Sequence, residues 1–287
     1  MAIIGILVGM TLPAVQSVRE SARRTSCLNN MRHVGLAIQN FESTRNKLPP
    51  ARGADKYLTW PIYLMPYLEL DNLYREFDLT LEYSLQDRQT LQQPIPAMFC
   101  PTRRNSIKTS FFEAGDAPIG ATGDYAGNAG STKHFVGQAW AQFEAPTDGV
   151  FSSGLAVDNE IVAGKLVRGG VGRYRMTDIR DGLSNTIFIG EKAVHSNHMG
   201  EPDGWGDNSI YNGDQPFSFI RIGGIKVPLV ATTTGFDGIR PSFGSFHPQG
   251  CNFSLGDAST RLVPADIDPM ALGQLCSRND GKVVELD

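Results

Sequence analysis

The feature that most constrains this chain is its first forty-five residues, where apolar positions follow one another with no break that would end a helix. Residues 2–15, Ala-Ile-Ile-Gly-Ile-Leu-Val-Gly-Met-Thr-Leu-Pro-Ala-Val, are apolar except Thr11. No turn follows them. Val15, Val18 and Ala22 stand three and four apart, and Cys27, Leu28, Met31, Val34, Ala37, Ile38 and Phe41 keep the same spacings. That is the pattern of a helix with one buried face. Asn46 and the Pro49-Pro50 pair end it. The spacing predicts one helix of about 44 residues, roughly 65 Å at 1.5 Å per residue, far longer than an ordinary globular helix. The alternative is two helices broken at Pro13, the first of them a buried core helix.

The apolar run of residues 2–15 would span about 21 Å as a helix, short of the roughly 30 Å hydrocarbon core of a bilayer. It has neither a basic lead nor a small-residue cleavage site, so it does not read as a secretory signal peptide. Six basic and two acidic residues occupy the first 50 positions, whereas the whole chain of 287 carries a net charge of −4. Such a balance excludes a generally basic nucleic-acid binder and marks the N-terminal segment as having an environment of its own. The 31 glycines and 17 prolines argue for many turns and long loops after it. The resulting division is a stem over 1–45, with a shortened membrane segment about 2–18, and a globular α+β part over 46–287.

Cys27, Cys100, Cys251 and Cys276 are too widely spaced for a C-x-x-C zinc or redox motif. Two disulfides with three possible connectivities, or four buried thiols, both fit that count. In the globular part, Ile62, Leu64, Met65, Leu68, Leu73, Tyr74 and Phe77 suggest one or two short helices around Pro66, packed as core. Val150-Phe151 reads as a short strand and Thr186–Ile189 as a longer one, entered by a helical turn capped at Thr177 or Asp178. Residues 195–245 read as a long excursion. Asn252–Val263 alternates around Gly256-Asp257 as a hairpin.

Several of these stretches resemble one family. The segments Ala2-Ile-Ile-Gly-Ile-Leu, Leu12-Pro-Ala-Val-Gln, Arg19-Glu, Ala22-Arg-Arg and Cys27-Leu-Asn-Asn resemble the stem shared by type IV pilins and type II secretion pseudopilins. The closer resemblance is to the large bacterial family of prepilin-type, processing-associated H-x9-D-G proteins. It extends through Leu64-Met-Pro-Tyr-Leu-Glu69, Phe99-Cys-Pro-Thr102, Asp124-Tyr-Ala-Gly-Asn128, the run Arg173–Glu191, and His247 with Asp257-Ala258. In that family a leader is cut before a phenylalanine and a glutamate follows. Neither is present, so the chain reads as starting inside the stem.

The resemblance implies a long stem helix packed on an antiparallel sheet with long loops. The implied protein is a non-enzymatic, pilin-like or pseudopilin-like subunit, single-pass in the inner membrane, with its globular part periplasmic or extracellular. Its partners would be other pilin-like subunits and secretion-apparatus proteins, met through the stem around Gly5, Gly9 and Pro13. The resemblance also implies a Cys27–Cys100 disulfide, with Cys251–Cys276 as a second. The rival readings are a membrane-tethered module binding a solute or polysaccharide through Trp205, Tyr211 and Phe217, and a hydrolase using His247 and Asp257.

No nucleophile elbow, P-loop, dinucleotide motif or H-E-x-x-H helix is present. No cofactor is expected, with calcium at Asp203, Asp207 and Asp214 as the candidate exception. Glu191, His195 and His198 have metal-ligand spacing but read as loop polar groups. A structural role is expected for His247, bonding backbone near the sheet, and for Asp257 in the hairpin turn. Alanine at 258, where the family has glycine, speaks against a strict need for positive φ there.

Overall fold

A computed structural model describes residues 2–104, 106–132, 148–151, 160–168, 170–201, 206–230 and 241–284. Helix α1 runs unbroken from Ala2 to Arg45 with Pro13 inside it. Asn46 ends it in the left-handed region at φ 55°, its N–H still bonded to the Glu42 carbonyl. The 3.6-residue pattern holds over the second half, where Cys27, Met31, Val34, Ala37, Ile38 and Phe41 are all buried, whereas Val15, Val18 and Ala22 of the expected buried face are exposed. Among the described residues no helix is long and apolar enough to cross a membrane.

Short helices follow, α2 (Trp60–Leu64), α3 (Asp71–Tyr74) and α4 (Arg88–Leu91), with a 3-10 turn at Met65–Leu68 around Pro66. Proline early in each of the first two turns costs nothing there, because those N–H groups have no helical partner. Trp60, Ile62, Leu64 and Met65 are fully buried against α1, as expected of core rather than a groove.

The strands are β1 (Tyr125–Ser131), β2 (Glu160–Val162), β3 (Lys165–Arg168), β4 (Ile187–Glu191), β5 (Ile220–Gly223), β6 (Gly250–Leu255) and β7 (Thr260–Pro264). β2 and β3 make a separate hairpin, and the main sheet has the order β5-β1-β4-β6-β7. The fold is α+β. The sheet is mixed rather than wholly antiparallel, because β5 pairs parallel with β1. That strand, with helix α5 (Pro216–Phe219) leading into it, lies inside the stretch expected to be loop. Val150 and Phe151 form no strand, although the Phe151 N–H bonds the Asn128 carbonyl beside β1. Thr177 and Asp178, expected as caps, lie inside a 3-10 turn at Met176–Asp178 that starts from Arg175, whose N–H donates to the Asp178 carboxylate. A second turn at Leu183–Asn185 leads into β4.

Helix α6 (Pro269–Cys276) packs on β1, β5 and β4, and α1 lies along β6, β7 and β4. Alternation along β6 assigns the two faces. Cys251, Phe253 and Leu255 cluster with Leu272 and Leu275 of α6. Ser254 faces Gly35 of α1, where a Cβ would stand 2.6 Å from the Ser254 Oγ.

Candidate functional site

Four segments distant in sequence meet beside the middle of α1. Cys27 on α1 is bonded to Cys100, with Cα atoms 5.2 Å apart. Cys251 and Cys276 are both free and buried, so the expected second bridge does not form. Cys276 sits on α6 beside Gly223 of β5, and the Cys251 sulfur rests against the Glu191 carbonyl oxygen at 3.8 Å. Burial pushes both thiols above their ordinary pKa, which suits packing rather than nucleophilic use.

The His247 ring stands against the disulfide. Its Nε2 is 3.3 Å from the Cys27 sulfur and 3.4 Å from that of Cys100. Nδ1 lies 2.5 Å from an oxygen of Glu20 on α1, and Nε2 lies 3.4 Å from Glu191 Oε1 at the end of β4. Burial works against the imidazolium, but the hydrogen bonds and charges of Glu191 and Glu20 outweigh it and raise the histidine pKa. Burial likewise works to raise Glu20, and His247 and Arg23 outweigh it, so that carboxyl titrates below its ordinary value. Glu191 Oε2 accepts from the Asn252 N–H at 2.8 Å, while the buried Oε1 pairs with the His247 ring. A cleft of about 350 Å³ opens beside Glu20 and His247. Arg24 at its rim bonds Gln249.

This arrangement corrects the expected role of His247, whose ring engages two carboxylates and a disulfide rather than the backbone. Asp257 is elsewhere, exposed in the β6–β7 turn, where its side chain accepts from the N–H and hydroxyl of Ser259. No hydrogen bond joins it to His247 among the described residues. Ala258 has φ 61°, so the turn does take the left-handed conformation that its alanine argued against.

A buried ionic network holds the cluster from behind. Arg104 reaches Asp124 at 2.6 Å and clasps both oxygens of Asp207 at 2.6 and 2.8 Å. Lys192, next to Glu191, lies 3.4 Å from Asp207 and donates to the Ser218 carbonyl at 3.0 Å. Arg103 bonds the carbonyls of Asp124 and Gly244. The other Asp124 oxygen accepts the Cys100 N–H at 2.8 Å, fixing one end of the disulfide. Burial pushes Lys192 down to about 7 despite the pull of Asp207, and Arg221 and Arg104 add to the fall.

The same network removes Asp207 from the calcium candidates, since both its oxygens are already on cations. Asp214 is exposed, and Asp203 and Trp205 lie outside the described residues. Tyr211 and Phe217, expected exposed in a ligand-binding module, are buried in the main core. The His195 and His198 rings lie tilted against each other with centres 5.0 Å apart, and His198 pairs with Glu201 rather than Glu191. The metal-type donors that do converge among the described residues are Cys27, Cys100, Glu191 and His247, all within 4.8 Å of one another.

Residues 16–270 match the model of a family described as proteins of unknown function, DUF1559. The chain belongs to the DUF1559 family. No curated protein and no solved structure matches it. The matched range contains every member of the cluster and of the ionic network of this DUF1559 chain. It begins within α1, four residues before Glu20.

Proposed function

We propose that this DUF1559 chain is a pilin-like structural subunit, with α1 as the stem through which it joins a pseudopilus or pilus-like filament at the inner membrane. The observation that carries this reading is the contrast along α1. From Cys27 to Phe41 its apolar face is in the core, whereas Leu12, Val15 and Val18 stand 60, 45 and 68% exposed. A soluble monomer gains nothing from continuing a helix past its core with apolar side chains in water. A subunit that buries them between stems does.

The cluster supports the same role. A stem that carries load needs fastening to its head, and α1 is fastened repeatedly. Glu20 holds His247, Cys27 holds Cys100, the Asn30 side chain donates to the Phe99 carbonyl, and that of Gln39 donates to the Gly256 carbonyl. From Glu20 to Gln39 is about five helical turns. The chemistry needed for this work is helix–helix burial, with no catalysis and no cofactor. The globular part stands on the periplasmic or extracellular side, where a Cys27–Cys100 bond persists.

Replacing Leu12, Val15 and Val18 together by aspartate tests the reading. All three side chains are exposed, so the melting temperature should stay within a few degrees while sedimentable assemblies disappear. Unchanged assembly in the triple variant contradicts the proposal.

A further inference from the structure

The donors around the disulfide are set out as a metal site with one bond in the way. In a tetrahedral zinc centre, with Zn–S about 2.3 Å and Zn–N or Zn–O about 2.0–2.2 Å, neighbouring ligand atoms lie about 3.4–3.8 Å apart. His247 Nε2 stands 3.3, 3.4 and 3.4 Å from the Cys27 sulfur, the Cys100 sulfur and Glu191 Oε1. Three edges of the tetrahedron are therefore close to length. The sulfur–sulfur edge is closed by the covalent bond and opens on reduction.

The atoms behind the ligands are also placed for a metal. Nδ1 of His247 is held by Glu20 at 2.5 Å, the carboxylate–histidine relay that aims the other ring nitrogen at a metal. Glu191 is pinned through Oε2 by the Asn252 N–H, leaving Oε1 buried and turned toward the ring, 3.4 Å from His247 Nε2. Two thiolates with an imidazole and a carboxylate favour zinc over magnesium or calcium.

We propose that Cys27, Cys100, Glu191 and His247 bind one zinc ion when the Cys27–Cys100 bond is reduced, so that disulfide and metal are alternative closures of the same junction. A dithiol reductant gives two hydrogens to the sulfur–sulfur bond and becomes a disulfide, leaving two thiols on the protein. Zinc then forms two Zn–S bonds, one Zn–N and one Zn–O bond. The two thiol protons pass to solvent, together with the Nε2 proton of any imidazolium. Reoxidation by a disulfide reverses both steps and expels the metal. Either closure ties α1 to the segment of Cys100. The proposal stands on this geometry alone and is independent of the filament reading.

The test uses the full chain, oxidised or reduced with a phosphine that is then removed, and titrated with zinc against a chromogenic chelator. The expected result is one zinc per reduced chain and none on the oxidised chain. Cobalt in place of zinc should give the absorption of a tetrahedral thiolate site. Glu20→Gln, which leaves all four ligands, should weaken zinc binding about 10–100-fold at unchanged stoichiometry. Cys100→Ser should remove the cobalt–thiolate band or shift it markedly. Should reduction alone unfold the chain, reduction in excess zinc with far-ultraviolet dichroism and thiol alkylation replaces the titration. Retained fold and slowed alkylation of Cys27 and Cys100 support the site. Equal zinc uptake in both redox states, no uptake by the reduced chain, or loss of uptake in the double variant His195→Ala, His198→Ala overturns it.

Discussion

Ala258 holds a backbone conformation that costs an L-residue roughly 1–2 kcal/mol, and glycine pays almost none of that steric term. Its methyl group is buried against α1 near Gly35, which returns about 0.8 kcal/mol. Ala258→Gly should therefore stabilise the chain by up to about 1 kcal/mol in urea unfolding, and Ala258→Val should destabilise it. The sequence showed where the turn lies but not its sign of φ, because alanine in the glycine position argued the other way. Lys192 offers a second test. In the unfolded chain it keeps its proton up to about pH 10.5, and in the fold it gives it up near 7. The unfolded state thus binds more protons between those values, and stability rises with pH across that window, by at most about 1.4 kcal/mol per unit. Lys192→Met should remove that slope when the two unfolding profiles are subtracted. Asp207→Asn should cost about 3–5 kcal/mol, since it leaves Arg104 and Lys192 short of a buried countercharge.

At the scale of elements, α1 was legible because a 3.6-residue period over Cys27–Phe41 survives any tertiary context, and the β6–β7 hairpin because alternation around Gly256-Asp257 does too. Strand β5 was not. It is four residues long, fully buried, and embedded among turn residues, so it carries no alternation to read. The ionic network was equally hidden. Arg103-Arg104 after Cys-Pro-Thr looks like a solvated loop, and its partners stand at 124 and 207. Spacing pairs Glu191 with His195 and His198 instead, and nothing local ties it or Glu20 to His247. Removing the Cys27–Cys100 bond, which closes a separation of 73 residues, should cost on the order of 4 kcal/mol in the chain-entropy account. A Cys27→Ser, Cys100→Ser double variant should melt at a correspondingly lower temperature without added metal. Gly35→Val would drive a side chain into Ser254 and Ala258 and should cost about 1–3 kcal/mol as the hairpin shifts off α1.

For the whole molecule, the two ends of α1 do different work. From Cys27 onward the helix completes the core, clamped by a disulfide and by side-chain bonds to two loops, with the Glu20–His247 pair about two turns before that. Before Glu20, the apolar side chains of Leu12, Val15 and Val18 stand exposed. Membership of DUF1559 gives the family and leaves the role to this contrast. The central claim is that the exposed face of α1 meets the stems of other subunits. The most direct measurement is photo-crosslinking in the host cell from a reactive residue introduced at Val18. The account predicts adducts between stems, mapped by mass spectrometry to residues 2–26 of a second copy or of another pilin-like chain, and their loss when Leu12 and Val15 are replaced by aspartate. Adducts only within the monomer, or only to the β-sheet end of another molecule, would contradict it.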